Sequence, residues 1–210
     1  MRLLLIRHGE TSGNTEKRFQ GTKDYPLTDR GEHQIKQLAN RLKDESMTAV
    51  YTSSLDRARA TADEMSKLHN QEPIEEKLLN EYSWGVIEGH TREEIKDKYP
   101  SLGMKLEENF FETPIPEEEG LMNLKKRISI VMNNLMKNYN KDDTIAIISH
   151  GRVLGGFLVY LTGYSFFNTP WPFTFSNASI TKVEYWYDYN KGKIITLNDT
   201  CHLKNLTMEG

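Results

Sequence analysis

The chain has little that would place it outside the ordinary globular class. Its 210 residues include one cysteine, Cys201, so an intrachain disulfide is excluded. A reducing, cytoplasmic setting is the expectation. No apolar run approaches the roughly 18 residues of a membrane span. The longest, Val153 to Leu161, is interrupted by Gly155 and Gly156. The first apolar run is too short for a signal peptide and meets Arg7-His8 at once. A formal charge of −3 argues against nucleic acid as partner, though it leaves room for a local basic pocket. No G-x-x-x-x-G-K-[ST] loop, H-E-x-x-H pair or G-x-S-x-G elbow is present. Cys201 lacks an arginine six positions on, where Thr207 stands. No His, Cys and Asp cluster has metal spacing, so no metal and no cofactor is expected.

What the chain does have is alternation. Leu3 to Ile6 reads as a short, fully buried strand, as do Thr48 to Tyr51 and, most strongly, Thr144 to Ile148. Helical spacing marks Ile35, Leu38 and Leu42, then Ala58, Ala62, Met65 and Leu68, then Leu121, Leu124, Ile128, Met132 and Leu135. Thr52, Ser53 and Ser54 offer side-chain caps for the second of these helices. Thr91 and Glu94 suit a capping box, with Pro100 ending that short helix. Leu102 to Pro116 reads as irregular, and Glu117-Glu118-Glu119 as a solvated helix start. Two closing strands flank a turn at Asn190 to Gly192. Strands alternating with helices predict an α/β sheet in one domain spanning 1–210.

Three strands run into a short turn carrying basic residues: Arg7-His8-Gly9, Ser53 to Arg57, and Ser149-His150-Gly151. On parallel neighbouring strands these turns open on one sheet edge. Arg7, His8, Arg57 and His150 then converge, with helix amino termini adding positive dipole ends. Guanidinium forks, imidazoles and dipoles together match a phosphate dianion. Taken singly, each residue has a blander reading as a surface or packing group. His33, His69, His90 and His202 keep that reading, as does Arg59. Two histidines beside a phosphate suggest transfer through a phosphohistidine. A carboxyl beside the dianion holds its proton to higher pH and suits a general acid. Glu81 and Glu88 both qualify by position.

Leu5-Ile6-Arg7-His8-Gly9-Glu10-Thr11 with Asn14 resembles the signature of the histidine phosphatase superfamily, phosphoglycerate mutase-like branch. Phe19-Gln20-Gly21 with Asp24, Tyr51 to Ala58, Glu81 with Gly85 and Glu88, and Ser149-His150-Gly151 extend the resemblance along the chain. It implies a three-layer α/β/α sandwich with a mostly parallel sheet. It implies His8 as the phosphorylated nucleophile and Glu81 as proton donor, with Arg7, Arg57 and His150 clamping the phosphoryl group. Asn14, Gln20, Gly21 and Gly151 add phosphate contacts. The implied activity is a metal-independent phosphomonoester hydrolase acting on a small soluble phosphorylated metabolite. An α-ribazole phosphate, a sugar phosphate or a broad range of esters would fit. A phosphoglycerate mutase and a non-catalytic phosphate binder are the alternatives. The mutases carry substrate-binding arginines after the acid segment. This chain has none between Arg92 and Arg127, which favours hydrolysis. Phe110, Phe111, Tyr164, Phe166, Phe167, Trp171, Phe173 and Phe175 suit either a pocket wall or ordinary core.

Overall fold

The computed structural model describes residues 1–166 and 170–207. Phe167 lies outside them. In chain order the elements are β1 (Arg2–Arg7), α1 (Ser12–Thr15), α2 (Asp29–Leu42), β2 (Ala49–Thr52), α3 (Asp56–His69) and β3 (Ile74–Glu75). There follow α4 (Arg92–Lys98), α5 (Pro100–Glu108), α6 (Leu121–Asn138), β4 (Thr144–Ser149), α7 (Gly151–Thr162), β5 (Ile180–Trp186) and β6 (Lys191–Asp199).

The strands form one sheet in the order β3-β2-β4-β1-β5-β6. The first four are mutually parallel, and β5 and β6 complete the sheet antiparallel. β1 and β4 lie at its centre and are apolar on both faces, as a covered parallel sheet requires. Leu3 and Leu5 pack toward α6 and α7, while Leu4 and Ile6 pack toward α2 and α3. The three-layer expectation therefore holds. The stripe Leu124, Ile128, Met132 and Leu135 seats α6 on the sheet. Gly156 lets α7 approach it, because a Cβ there would stand 2.5 Å from Ile128 Cδ1.

Several local expectations are corrected. Pro100 follows the end of α4 at Lys98, as expected, but it also occupies the first turn of a further helix, α5, where its fixed φ and missing N–H cost nothing. Residues 102–108 of the segment expected to be irregular are thus helical, while 109–116 are not. Thr11 and Asn14 close a capping box on the short helix α1, which the sequence pattern did not mark. Ser53 and Ser54 do not cap α3: its capping residue is Leu55, with no side-chain cap. Glu118 and Glu119 do not open α6. They precede Gly120, which has φ 77°, and both are engaged by other side chains.

Candidate phosphoryl-binding site

The carboxyl ends of β1, β4 and β2 are adjacent, so their three turns share one edge of the sheet. His8 N–H donates to Ser149 O at 3.1 Å and Ser53 N–H to Ile148 O at 3.0 Å, which continues the strand pairing into the turns. The rings of His8 and His150 consequently lie 5.1 Å apart between centroids, both buried. Arg7, His8, Asn14, Gln20, Gly21, Arg57, Glu81 and Gly151 all line one cleft of about 460 Å³. A larger depression of about 1050 Å³ lies at the other end of the sheet, around Met1, Tyr139 and Trp186, remote from these basic groups.

Hydrogen bonding assigns proton positions. His8 Nδ1 sits 2.7 Å from Gly9 O. A carbonyl only accepts, so Nδ1 carries the proton and Nε2 keeps its lone pair. Burial, then Arg7 and Arg57, hold the His8 pKa well below the ordinary histidine value, so the ring is neutral near pH 7. His150 Nε2 lies 2.8 Å from Ser53 Oγ. Asn80 Oδ1 receives the Ser54 N–H at 2.8 Å and is therefore oxygen, so the Ser53 hydroxyl donates to it at 2.9 Å. Ser53 Oγ is then left to accept, and His150 Nε2 donates.

Three buried nitrogens around these rings have no partner: Arg7 Nε, Arg57 Nε and His150 Nδ1. Buried polar groups are ordinarily satisfied, so an unsatisfied set at one place marks a site that a ligand completes. The two arginines are fixed through their other nitrogens. Arg7 Nη1 donates to Phe175 O at 2.5 Å. Arg57 Nη2 donates to Gly21 O at 2.7 Å, and its Nη1 to Lys23 O and Asp24 Oδ1 at 2.8 and 3.0 Å. Arg57 thus braces the Gly21–Asp24 turn as well as facing the cleft. Asn14 Oδ1 accepts from Thr11 N–H and Asn177 Nδ2, which leaves its amide NH₂ for the cleft. α3 and α7 both begin here without a side-chain cap, so two positive dipole ends meet at this edge, and in α7 the Arg152 N–H donates to Glu81 Oε2 at 3.5 Å.

The structure separates the two carboxyl candidates. Glu81 lines the cleft, and its Oε1 accepts from Tyr82 N–H at 2.8 Å. It is near enough to Arg7 and Arg57 to act on their charges. Glu88 is turned away, accepting from Thr22 Oγ1 at 2.6 Å and Trp84 N–H at 3.1 Å. It packs on Gly21, whose φ is 56° and where a Cβ would fall 2.1 Å from Glu88 Oε2. Behind Glu81, Arg127 donates to the carbonyls of Leu78 and Asn80 at 2.6 and 2.7 Å and forms a two-pronged ion pair with Glu119.

The aromatic candidates divide. Phe110, Phe111, Trp171 and Phe173 line the cleft, Phe166 and Phe175 are core, and Tyr164 is exposed. Sequence reasoning missed Arg18, Phe19, Trp84, Arg92 and Arg152, which line it too, and Asn177, which supports Asn14. Arg152 had a usable signal, since it follows His150-Gly151 at a helix start. Among the described residues no group of three His, Cys, Asp or Glu side chains could hold a metal. Among them no helix is long and apolar enough to cross a membrane.

A basic cup with unpartnered buried nitrogens at the carboxyl edge of an α/β sheet suits a bound anion. The comparisons narrow the class: residues 3–200 match the family model described as histidine phosphatase superfamily (branch 1), and the chain belongs to that family. It is 29% identical to phosphoserine phosphatase 1 of Hydrogenobacter thermophilus, over 100% of this chain and 97% of the relative. It is 31% identical to a protein of Photorhabdus laumondii named probable phosphoglycerate mutase GpmB, over 97% and 95%. The crystal structure of the alpha-ribazole phosphatase from Shigella flexneri superposes with a TM-score of 0.84 at 25% identity, covering 95% of this chain and 96% of that one.

Proposed function

We propose that the chain is a metal-independent phosphomonoesterase working through a phosphohistidine on His8, and that its substrate is a small phosphorylated metabolite. The observation that carries the reading is the free lone pair of a neutral, buried His8 Nε2 beside three unpartnered nitrogen atoms. In the first step that lone pair forms a bond to phosphorus while the ester P–O bond breaks. The leaving oxygen takes the proton of Glu81. In the second step water attacks phosphorus, Glu81 takes its proton, the P–N bond breaks and inorganic phosphate leaves. Arg7, Arg57 and His150 meet the charge on the equatorial oxygens, with Asn14, Gln20 and the open amides at Gly21 and Gly151 around them.

Brief mixing with ³²P-labelled substrate followed by an alkaline quench tests the reading. Acid-labile, base-stable label on wild type and none on His8→Ala supports it. Turnover that persists in His8→Ala refutes it. The likeness to a named mutase favours a second reading, return of the phosphoryl group to a hydroxyl of the bound product. Isomerised phosphoglycerate in excess over released phosphate would establish that instead. A cytoplasmic setting suits the single exposed thiol.

A further inference from the structure

The phosphoryl cup fills one side of the cleft. The other side is walled by Trp84, Phe110, Trp171 and Phe173, and Arg152 projects among them. Arg152 is the second residue of α7, so it emerges directly beside His150 and Gly151. Its guanidinium carbon stands 4.3 Å from the Trp171 ring centroid, 5.7 Å from that of Tyr82 and 5.9 Å from that of Trp84. These faces hold the cation in place and return part of its lost hydration.

Other arginines of the cleft are answered by the chain or by solvent: Arg92 stacks on Phe19 and Phe110 without an ion pair among the described residues, but it is exposed. Arg18 is paired with Glu94 at 2.6 Å and with Gly89 O at 2.9 Å, and Arg57 is paired with Asp24. Arg152 is different. Its Nε is buried without a partner, and among the described residues its side chain forms no hydrogen bond or ion pair. Glu81 and Glu118 attract it from a distance. When Glu81 carries the proton destined for the leaving group, even that attraction falls. A half-buried cation left this way is an uncompensated charge, and a bound anion is what compensates it.

We propose that Arg152 receives a carboxylate on the leaving group, so that the preferred substrates are phosphorylated hydroxy acids or amino acids. The inference rests on the phosphomonoesterase reading and narrows its substrate. A carboxylate is favoured over a second phosphate by charge. The cup sets two guanidiniums and two imidazoles against one phosphoryl dianion, whereas a single planar fork matches one carboxylate. One cleft of about 460 Å³ is lined both by the cup and by Arg152, so a single small molecule can carry both anions.

Matched substrates test it. Glycerol 3-phosphate differs from 3-phosphoglycerate in carrying hydroxymethyl for carboxylate, and phosphoethanolamine differs from phosphoserine by loss of the carboxylate. In wild type the ratio of kcat/KM, acid over non-acid, should exceed about tenfold in at least one pair. In Arg152→Met that ratio should fall by about 10- to 100-fold, the worth of one charge-assisted pair. Arg152→Lys should keep part of it. A ratio does not depend on how much of the variant is folded. A wild-type ratio near one in both pairs overturns the inference, as does an Arg152→Met change that slows both members equally. With p-nitrophenyl phosphate hydrolysed, either result refutes the inference alone. No phosphate release from any ester, p-nitrophenyl phosphate included, refutes the phosphatase reading and this inference with it.

Discussion

Ser53 Oγ lies 2.8 Å from His150 Nε2 and 2.9 Å from Asn80 Oδ1, and so links the imidazole of the β4 turn to the loop that carries Glu81. The hydroxyl has one proton, and it goes to Asn80. The ring is therefore held with its proton on Nε2, and Nδ1 is buried without a partner. In the reaction we propose, Nδ1 takes a proton and donates to the arriving phosphoryl dianion, while Ser53 still accepts from the other side. Ser53→Ala removes that acceptor and leaves a buried N–H unpaired. We expect kcat/KM to fall by about 10- to 100-fold, from the usual cost of such a group. Nitrogen NMR of the ring should show the Nε2–H tautomer in wild type and its loss in the variant. An unchanged spectrum would remove Ser53 from the site.

Glu81→Gln keeps the shape of the acid but not its proton. On an alkyl phosphate the rate should fall by roughly 10²–10⁴-fold. On p-nitrophenyl phosphate, whose leaving group departs without protonation, the loss should be far smaller. Glu88→Gln should show no such dependence on leaving group, because Glu88 ties Thr22 to Trp84 outside the cleft. Equal losses on both substrates for Glu81→Gln would assign the proton to another group.

How much of this was readable beforehand followed the range of the forces involved. His8 and His150 were legible because each follows a run of buried apolar residues, and strand pairing alone then sets where they meet. Arg57 was legible only as one of a convergent set. Ser53 and Ser54 misled because local capping preference competes with a partner 26 or 27 residues away, and Asn80 wins both. Glu119 looked solvated for the same reason: its partner Arg127 lies on α6, and the pair braces the carbonyls of Leu78 and Asn80. Nothing in the acidic run announces that contact. The choice between Glu81 and Glu88 depended on a loop path that spacing does not encode.

Metal removal should leave the rate intact. In the reaction we propose, guanidinium, imidazole and backbone N–H donors meet the phosphoryl charge, and the described residues hold no triad of metal-ligating side chains. Dialysis against EDTA, followed by assay in chelator, should retain full activity. Loss of activity restored by a divalent ion would require a cation bound with the substrate.

Stability should be sensitive to acid, and the two site histidines are part of the reason. Both are buried, and burial followed by neighbouring cations places their folded-state pKa values well below the unfolded value near 6.5. With the folded value depressed, the unfolded chain binds the extra proton first. The stability is present above about pH 6.5 and is lost as pH falls toward the folded values. In that window each such ring contributes a slope of about 1.4 kcal/mol per pH unit. His69 and His202 are also lowered by burial, so the site's share must be isolated by difference. Urea unfolding between pH 7 and 5 should give His8→Asn a slope shallower than wild type by roughly that amount. Parallel curves for the two proteins would mean that His8 is already charged in the folded, ligand-free enzyme, and would remove the neutral nucleophile on which the proposed first step depends.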